Sequence, residues 1–185
     1  MLRKQGMGGK LLAIGLVLLL ALAVGGCGRK VGVAPDNGVD ISAEPAPSRE
    51  KVILYFGDKE AMYLLAEERE LAKGEEPLAE VIINELIKGP QQAEAVRTIP
   101  EGSKLLSLSV EEGVAYVNFS REFQTKHWGG SAGESMTVYS VVNSLAELPD
   151  IEKVQFLLEG NKEESILGHI GTASPIEPNW DLVAK

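Results

Sequence analysis

The passage from Met1 to Cys27 decides what the rest of the chain is free to become, because it takes the longest apolar run out of the folded domain. Arg3, Lys4 and Lys10 form a basic head. Leu11 to Val24 holds only Leu, Ala, Val, Ile and Gly, and the run ends Val24-Gly25-Gly26-Cys27. An apolar core of about 14 residues fits the 7–15 of a secretory signal and falls short of the ~20 that span a bilayer. Residues 1–26 are therefore expected to be a signal peptide rather than a permanent transmembrane helix.

The cysteine sharpens this reading. An aliphatic residue and two small ones directly before a Cys resemble the bacterial lipobox Val24, Gly25, Gly26, Cys27, in which the thiol accepts a diacylglyceryl group and cleavage leaves the lipidated Cys as the new N-terminus. The glycines give a peptidase access and the thiol is the nucleophile. The competing reading is an ordinary cleaved signal with a chance cysteine; the spacing, the basic head and the polar sequence that follows favour the lipobox. Two acyl chains hold a protein firmly on a membrane, so the domain is expected to be anchored through Cys27 on the extracytoplasmic face of the cell membrane.

Charge narrows the partners. The chain has 185 residues and a net charge of −9; the signal holds three basic residues and no acid, so the remainder carries 15 Lys and Arg against 27 Asp and Glu, or −12. Such a surface repels phosphate, and no Lys/Arg cluster interleaved with aromatics occurs after Cys27, which argues against nucleic acid. Cys27 is the only cysteine, so disulfides cannot support the fold.

Residues 27–50 contain prolines and glycines without apolar periodicity, the composition of a disordered tether that spans roughly 25 Å as a coil. Val52 to Phe56 reads as a buried strand stopped by Gly57-Asp58. Met62 to Leu71 is ambiguous by propensity, and the turn before it favours a hairpin partner. Glu75-Glu76-Pro77 opens a helix, with Pro77 at the first helical position and Leu78, Val81, Ile82, Glu85 and Leu86 on one side; Gly89-Pro90 stops it. Leu106, Leu108 and Val110 alternate with serines, Glu111-Glu112-Gly113 turns, and Ala115, Val117 and Phe119 share a face of the return strand, giving a hairpin with one apolar face. Ser131 and Glu134 have capping-box spacing for a second helix whose stripe is Val138, Val141, Val142, Leu145 and Leu148. Val154 to Glu159 is the last clear strand, Ile166 to Ile170 a candidate edge strand, and 177–185 an irregular tail. The order predicts an α/β fold of the α+β type, a two-layer sandwich with two helices on one face of a mostly antiparallel sheet over 51–176.

Candidate sites are few. Gly129 to Gly133 before a helix resembles an anion cradle, yet no Lys-Ser or Lys-Thr follows and Glu134 would repel phosphate, so a capped helix is the better reading. Ser131 with His127 and Glu134 lacks a nucleophile elbow and an oxyanion partner. His127 and His169 have no metal-ligand spacing, and neither a catalytic residue, a metal nor another cofactor is expected. Trp128, beside two glycines, is a docking residue or a lid folded back on the domain. The candidate interaction loop is thus Trp128, Gly129, Gly130, Ser131, Gly133 and Glu134.

The runs VILYF at 52–56, ELIKGP at 85–90, IPEGSKLLS at 99–107, GVAYVNFS at 113–120, GGSAGE at 129–134, VYSVVNSLAELP at 138–149 and KVQFLLEG at 153–160 together resemble the GerMN domain. That family is named for a spore-germination and sporulation lipoprotein of endospore-forming bacteria, which carries two such domains in tandem; this chain has room for one. The resemblance implies a fold similar to the ring-building motif of secretion-system rings. It also implies a scaffold rather than an enzyme, with self-association or a sporulation or cell-envelope protein as partner. An accessory ligand-binding or wall-associated role outside sporulation is the alternative.

Overall fold

The computed structural model describes residues 48–185; the expected signal segment, the lipobox from Val24 to Cys27 and the tether up to residue 47 lie outside them. Strand β1, Ser48–Gly57, pairs antiparallel with β2, Leu64–Lys73, from Ser48 opposite Lys73 to Gly57 opposite Leu64. The strand begins ahead of the expected boundary at residue 51. The ambiguous run after the turn divides as its chemistry requires. Met62 and Tyr63 remain exposed in the loop, where Asp58 Oδ1 accepts their backbone N–H groups at 2.7 and 3.1 Å, while Leu64 enters the core as the first strand residue.

Helix α1, Leu78–Lys88, buries Ala79, Ile82, Ile83 and Leu86. Pro77 stands one position earlier than expected, as the extended N-cap with ψ 136°, where its missing N–H also costs nothing. At the other end Gly89 has φ 93°, and two guanidinium groups take the orphan carbonyls: Arg97 donates to Ile87 and to Lys88 (2.9 Å), and Arg69 to Gly89 (2.7 Å).

A second sheet has the order β3-β4-β5, built from Leu105–Glu111, Val114–Phe119 and Lys153–Leu158. The single sheet expected from sequence is therefore two. The β3–β4 hairpin is antiparallel, whereas β4 and β5 run parallel, Val114 opposite Lys153 through Phe119 opposite Leu158. Parallel neighbours need a long crossover. It is supplied by a short helix α2, Glu122–Thr125, which sequence reading did not foresee, and by α3, Gly130–Leu145. Phe123 of α2 stacks on Phe119 at 4.2 Å between ring centroids, and both lie near Phe156 of β5, so one aromatic cluster ties the crossover to the two strands it joins.

The apolar face expected of the hairpin is half correct. Ala115, Val117 and Phe119 of β4 are fully buried, but on β3 Leu106 and Val110 are 47% and 37% exposed. The register shifts between Leu105 and Ser107, a bulge that breaks the alternation, and β3 is the outer strand of its sheet, which α1 covers only in part. The expected edge strand at Ile166 to Ile170 is not formed; Ile176 instead bridges Val154 of β5 through reciprocal backbone bonds of 2.9 and 2.8 Å. The tail also packs onto the domain. Asn143 of α3 exchanges two hydrogen bonds with the backbone of Asn179, Trp180 meets the Tyr55 ring edge-on, and Ala184 N–H donates to the Leu64 carbonyl.

The most heavily charged part of the interior is Arg69 of β2 between Glu67 and Glu85. Its guanidinium donates to Glu67 at 2.6 Å and to Glu85 at 2.7 Å and lies over the Phe56 ring at 5.3 Å. Burial pushes the Glu67 carboxyl up, but the backbone N–H groups of Gln92 and Gln91 and the Arg69 guanidinium outweigh it and hold the group below its ordinary value; Glu85 is held down in the same way by Lys88 and Arg69. Glu85, counted in the apolar stripe from sequence, thus belongs to this ion cluster.

Removing one member of a buried ion pair leaves the others uncompensated, so Arg69→Ala is expected to destabilise the domain by about 3–5 kcal/mol in chemical denaturation. Both carboxyls titrate below the ordinary 4.5 when folded. Their contribution is complete above that value and is lost as pH falls through the lower folded pKa values. The wild-type denaturation midpoint should fall with acid in that range, and the fall should be shallower in Arg69→Ala.

Candidate functional site

The loop singled out in the sequence joins α2 to α3, and its geometry follows from close backbone approach. Gly129 is the N-cap of α3 in left-handed conformation, φ 93°, and Gly130 follows at φ 57°. A Cβ on Gly133 would lie 2.6 Å from the Trp128 carbonyl oxygen, and one on Gly129 would lie 3.1 Å from Gly133 Cα. These glycines let a tight turn fold onto the first turn of the helix.

The capping box expected between Ser131 and Glu134 is not formed. The helix starts one residue before Ser131, Gly129 occupies the cap without a side-chain bond, and Ser131 is exposed. Glu134 is instead fully buried, where its two carboxylate oxygens accept the backbone N–H groups of His169 (2.9 Å) and Ile170 (2.8 Å). A segment that contributes no strand has free amides to satisfy, and a buried carboxylate is the strong acceptor that does so. Glu134 is thereby a clamp on the 165–170 segment rather than part of a docking loop.

His127 begins a buried relay of hydroxyl groups. Its Nε2 lies 3.0 Å from Thr137 Oγ1, which donates to the Thr98 carbonyl at 2.6 Å; with that hydroxyl proton committed, Nε2 must be the donor. Burial lowers the His127 pKa, outweighing the Glu134 charge and the Gly133 carbonyl, which favours the neutral ring that this arrangement uses. Thr98 Oγ1 and Ser140 Oγ are 2.7 Å apart, and Ser140 donates to the Tyr55 carbonyl at 2.6 Å. Tyr55 N–H in turn donates to Ser144 Oγ at 2.9 Å.

Trp128 stands apart from these engaged neighbours. It is 50% exposed, and its ring lies 6.0 Å from that of His127. On one side opens a cleft of about 520 Å³ bordered by Arg97, Glu101 and Lys126, and on the other a cleft of about 550 Å³ bordered by Gln124, Ser165 and Leu167. A third, narrow pocket that Trp128 also lines reaches Val96 and Met136. The indole is a ridge between depressions and not a lid closed over the core. Arg97 and Val96 were not foreseen as its neighbours, since they join it from the loop between α1 and β3. Thr137, Ser140 and Ser144 were legible in principle, as hydroxyls at helical spacing beside the valine stripe.

No curated protein matches the chain. Among solved structures, a candidate lipoprotein of Clostridium perfringens aligns at 25% identity with a TM-score of 0.51, covering 70% of this chain and 88% of that one. The first GerMN domain of the sporulation protein GerM from Bacillus subtilis aligns at 23% identity and TM-score 0.58, covering 71% and 98%. The tandem GerMN domains of the same protein align at 24% identity, also with TM-score 0.58, and there this chain covers only 46% of the longer one, the span of a single domain. The family model Germane, described as sporulation and spore germination, matches residues 53–164, which contain every strand and helix just described except the outer end of β1. With more than half of its length in that match, the chain belongs to the Germane, or GerMN-domain, family of sporulation and spore germination.

Proposed function

We propose that this chain is a lipid-anchored, extracytoplasmic scaffold whose single GerMN-like domain binds a protein of the sporulation or germination envelope through the Trp128 ridge. The observation that carries the reading is a contrast within the stretch from His127 to Glu134. His127 and Glu134 are committed to bonds that hold the fold, while the indole between them is offered to solvent. A rigidly mounted Trp between clefts is the kind of anchor that dominates binding interfaces. The same commitments leave Ser131 without a base or an orienting acid, which favours a scaffold over a hydrolase.

The anchor rests on the Val24-Gly25-Gly26-Cys27 motif and is supported by the likeness to the Clostridium perfringens candidate lipoprotein. The germination or sporulation setting rests on the family.

Cys27→Ala should move the protein from the membrane to the soluble fraction and abolish incorporation of a labelled fatty acid. Wild-type protein that takes up no label would refute the anchor. Trp128→Ala should weaken binding to the envelope partner by about 1–3 kcal/mol while costing the domain less than that in denaturation. Unchanged binding with a large loss of stability would return Trp128 to a packing role.

A further inference from the structure

The four outer strand edges of the two sheets are not treated alike. Along β1, Tyr55 N–H and C=O are taken by Ser144 and Ser140, and the Gly57 carbonyl by Val96 N–H at 2.7 Å. Along β2, Ala184 N–H covers the Leu64 carbonyl and the Gln92 side chain that of Ala66, and the strand continues with Glu68 and Glu70, charges that deter pairing. Along β5, Ile176 pairs with Val154, Gln155 Nε2 donates to the Phe156 carbonyl and Asn161 bonds Leu158. The β3 edge has none of these devices. Among the described residues no backbone group outside β4 and its flanks bonds to β3, and Leu106 to Val110 contains neither charge nor proline.

We propose that β3 is a self-association edge on which a second copy of this chain pairs antiparallel through Ser107 to Ser109, about a two-fold axis at Leu108. The two-residue turn at Glu112 and Gly113, φ 50° and 78°, makes Glu111 and Val114 a hydrogen-bonded pair, so the backbone groups of Val110 and Leu108 point away from β4. An axis at Leu108 sets the Leu108 groups against their counterparts in the second copy. It also places Val110 opposite Leu106 of the second copy, covering two of the large exposed apolar side chains.

Charge selects the direction. The strand is preceded by Lys104 and ends in Glu111 and Glu112, so antiparallel copies bring unlike ends together and parallel copies like ends. Beside the edge, a groove of about 420 Å³ walled by Pro77, Leu78, Leu108, Val110, Leu148 and Pro149 would meet its symmetry mate across the joint. The bulge at Leu105 to Ser107 confines regular pairing to the segment that follows it, so the contact is short and the dimer concentration-dependent. This contact is independent of the Trp128 ridge.

Sedimentation equilibrium of the full-length chain in density-matched detergent tests it. The wild type is expected to reach a dimer with rising concentration, and Val110→Lys to weaken that dimer by more than about tenfold, since each lysine would then replace the apolar contact of Val110 with Leu106 of the second copy. Met62→Lys and Trp128→Ala should leave the dimer intact. In a Cys27→Ala background, Leu108→Cys should cross-link to its own counterpart, about 5.5 Å away between Cα atoms in a hydrogen-bonded pair, and Val110→Cys should not. A wild type that stays monomeric, a dimer that survives Val110→Lys, or cross-linking at 110 in place of 108 would overturn the proposal. A dimer abolished by Trp128→Ala would overturn it as well and assign self-association to the ridge.

Discussion

Two serines one turn apart on α3 bond both backbone groups of a single residue, Tyr55, and the arrangement of the two sheets depends on that pairing. Ser144 Oγ accepts the Tyr55 N–H and Ser140 Oγ donates to its carbonyl. A strand edge buried under a helix has lost its water, and an unpaired backbone group there costs about 1–3 kcal/mol. The i, i+4 spacing puts both hydroxyls on one side of the helix, so α3 behaves toward β1 as a strand would. It can therefore bridge the β1–β2 hairpin and the three-stranded sheet without leaving the β1 edge beneath it unsatisfied. Thr98 and Thr137 extend the same relay to His127, which links the seating of α3 to the conformation of the loop that carries Trp128.

A second polar assembly does comparable work at the other helix. Arg69 joins β2 to the C-terminal turn of α1, and Glu67 receives the backbone of Gln91 and Gln92 just after the helix stops. Arg97 completes the cap. A domain with no disulfide thus fixes α1 by directional bonds at its end as well as by the apolar face of Ile82, Ile83 and Leu86. The side chains of this acidic protein that are most deeply committed to charge pairing are directed inward. Its outward features are the Trp128 ridge and the bare β3 edge, two surfaces of different chemistry: a side-chain anchor beside clefts and an unpaired backbone ladder.

The loop around Gly129 shows how one pattern carries two messages. Ser131 and Glu134 have the spacing of a capping box, but so does any pair three apart at the start of a helix. The helix began two residues earlier because glycine accepts the left-handed cap, and Glu134 then faced inward, where the amides of His169 and Ile170 needed an acceptor. Those amides lie 35 and 36 residues away in sequence. No local rule reaches that far.

What the sequence by itself determined are the features that short-range chemistry controls. The β1–β2 hairpin, the limits of α1 between Pro77 and Gly89, the Glu112–Gly113 turn and the valine face of α3 all follow from periodicity, backbone restriction and capping within a few residues. The tertiary structure alone decided the features that depend on which distant groups meet. It split the strands into two sheets, set β5 parallel to β4 because α2 and α3 form the crossover, left Leu106 and Val110 at an open edge, and placed Glu85 and Glu134 among donors that sequence distance conceals. Burial and partner choice are properties of the packed molecule. A residue type states what bonds it can make, and only the fold states which of them it does.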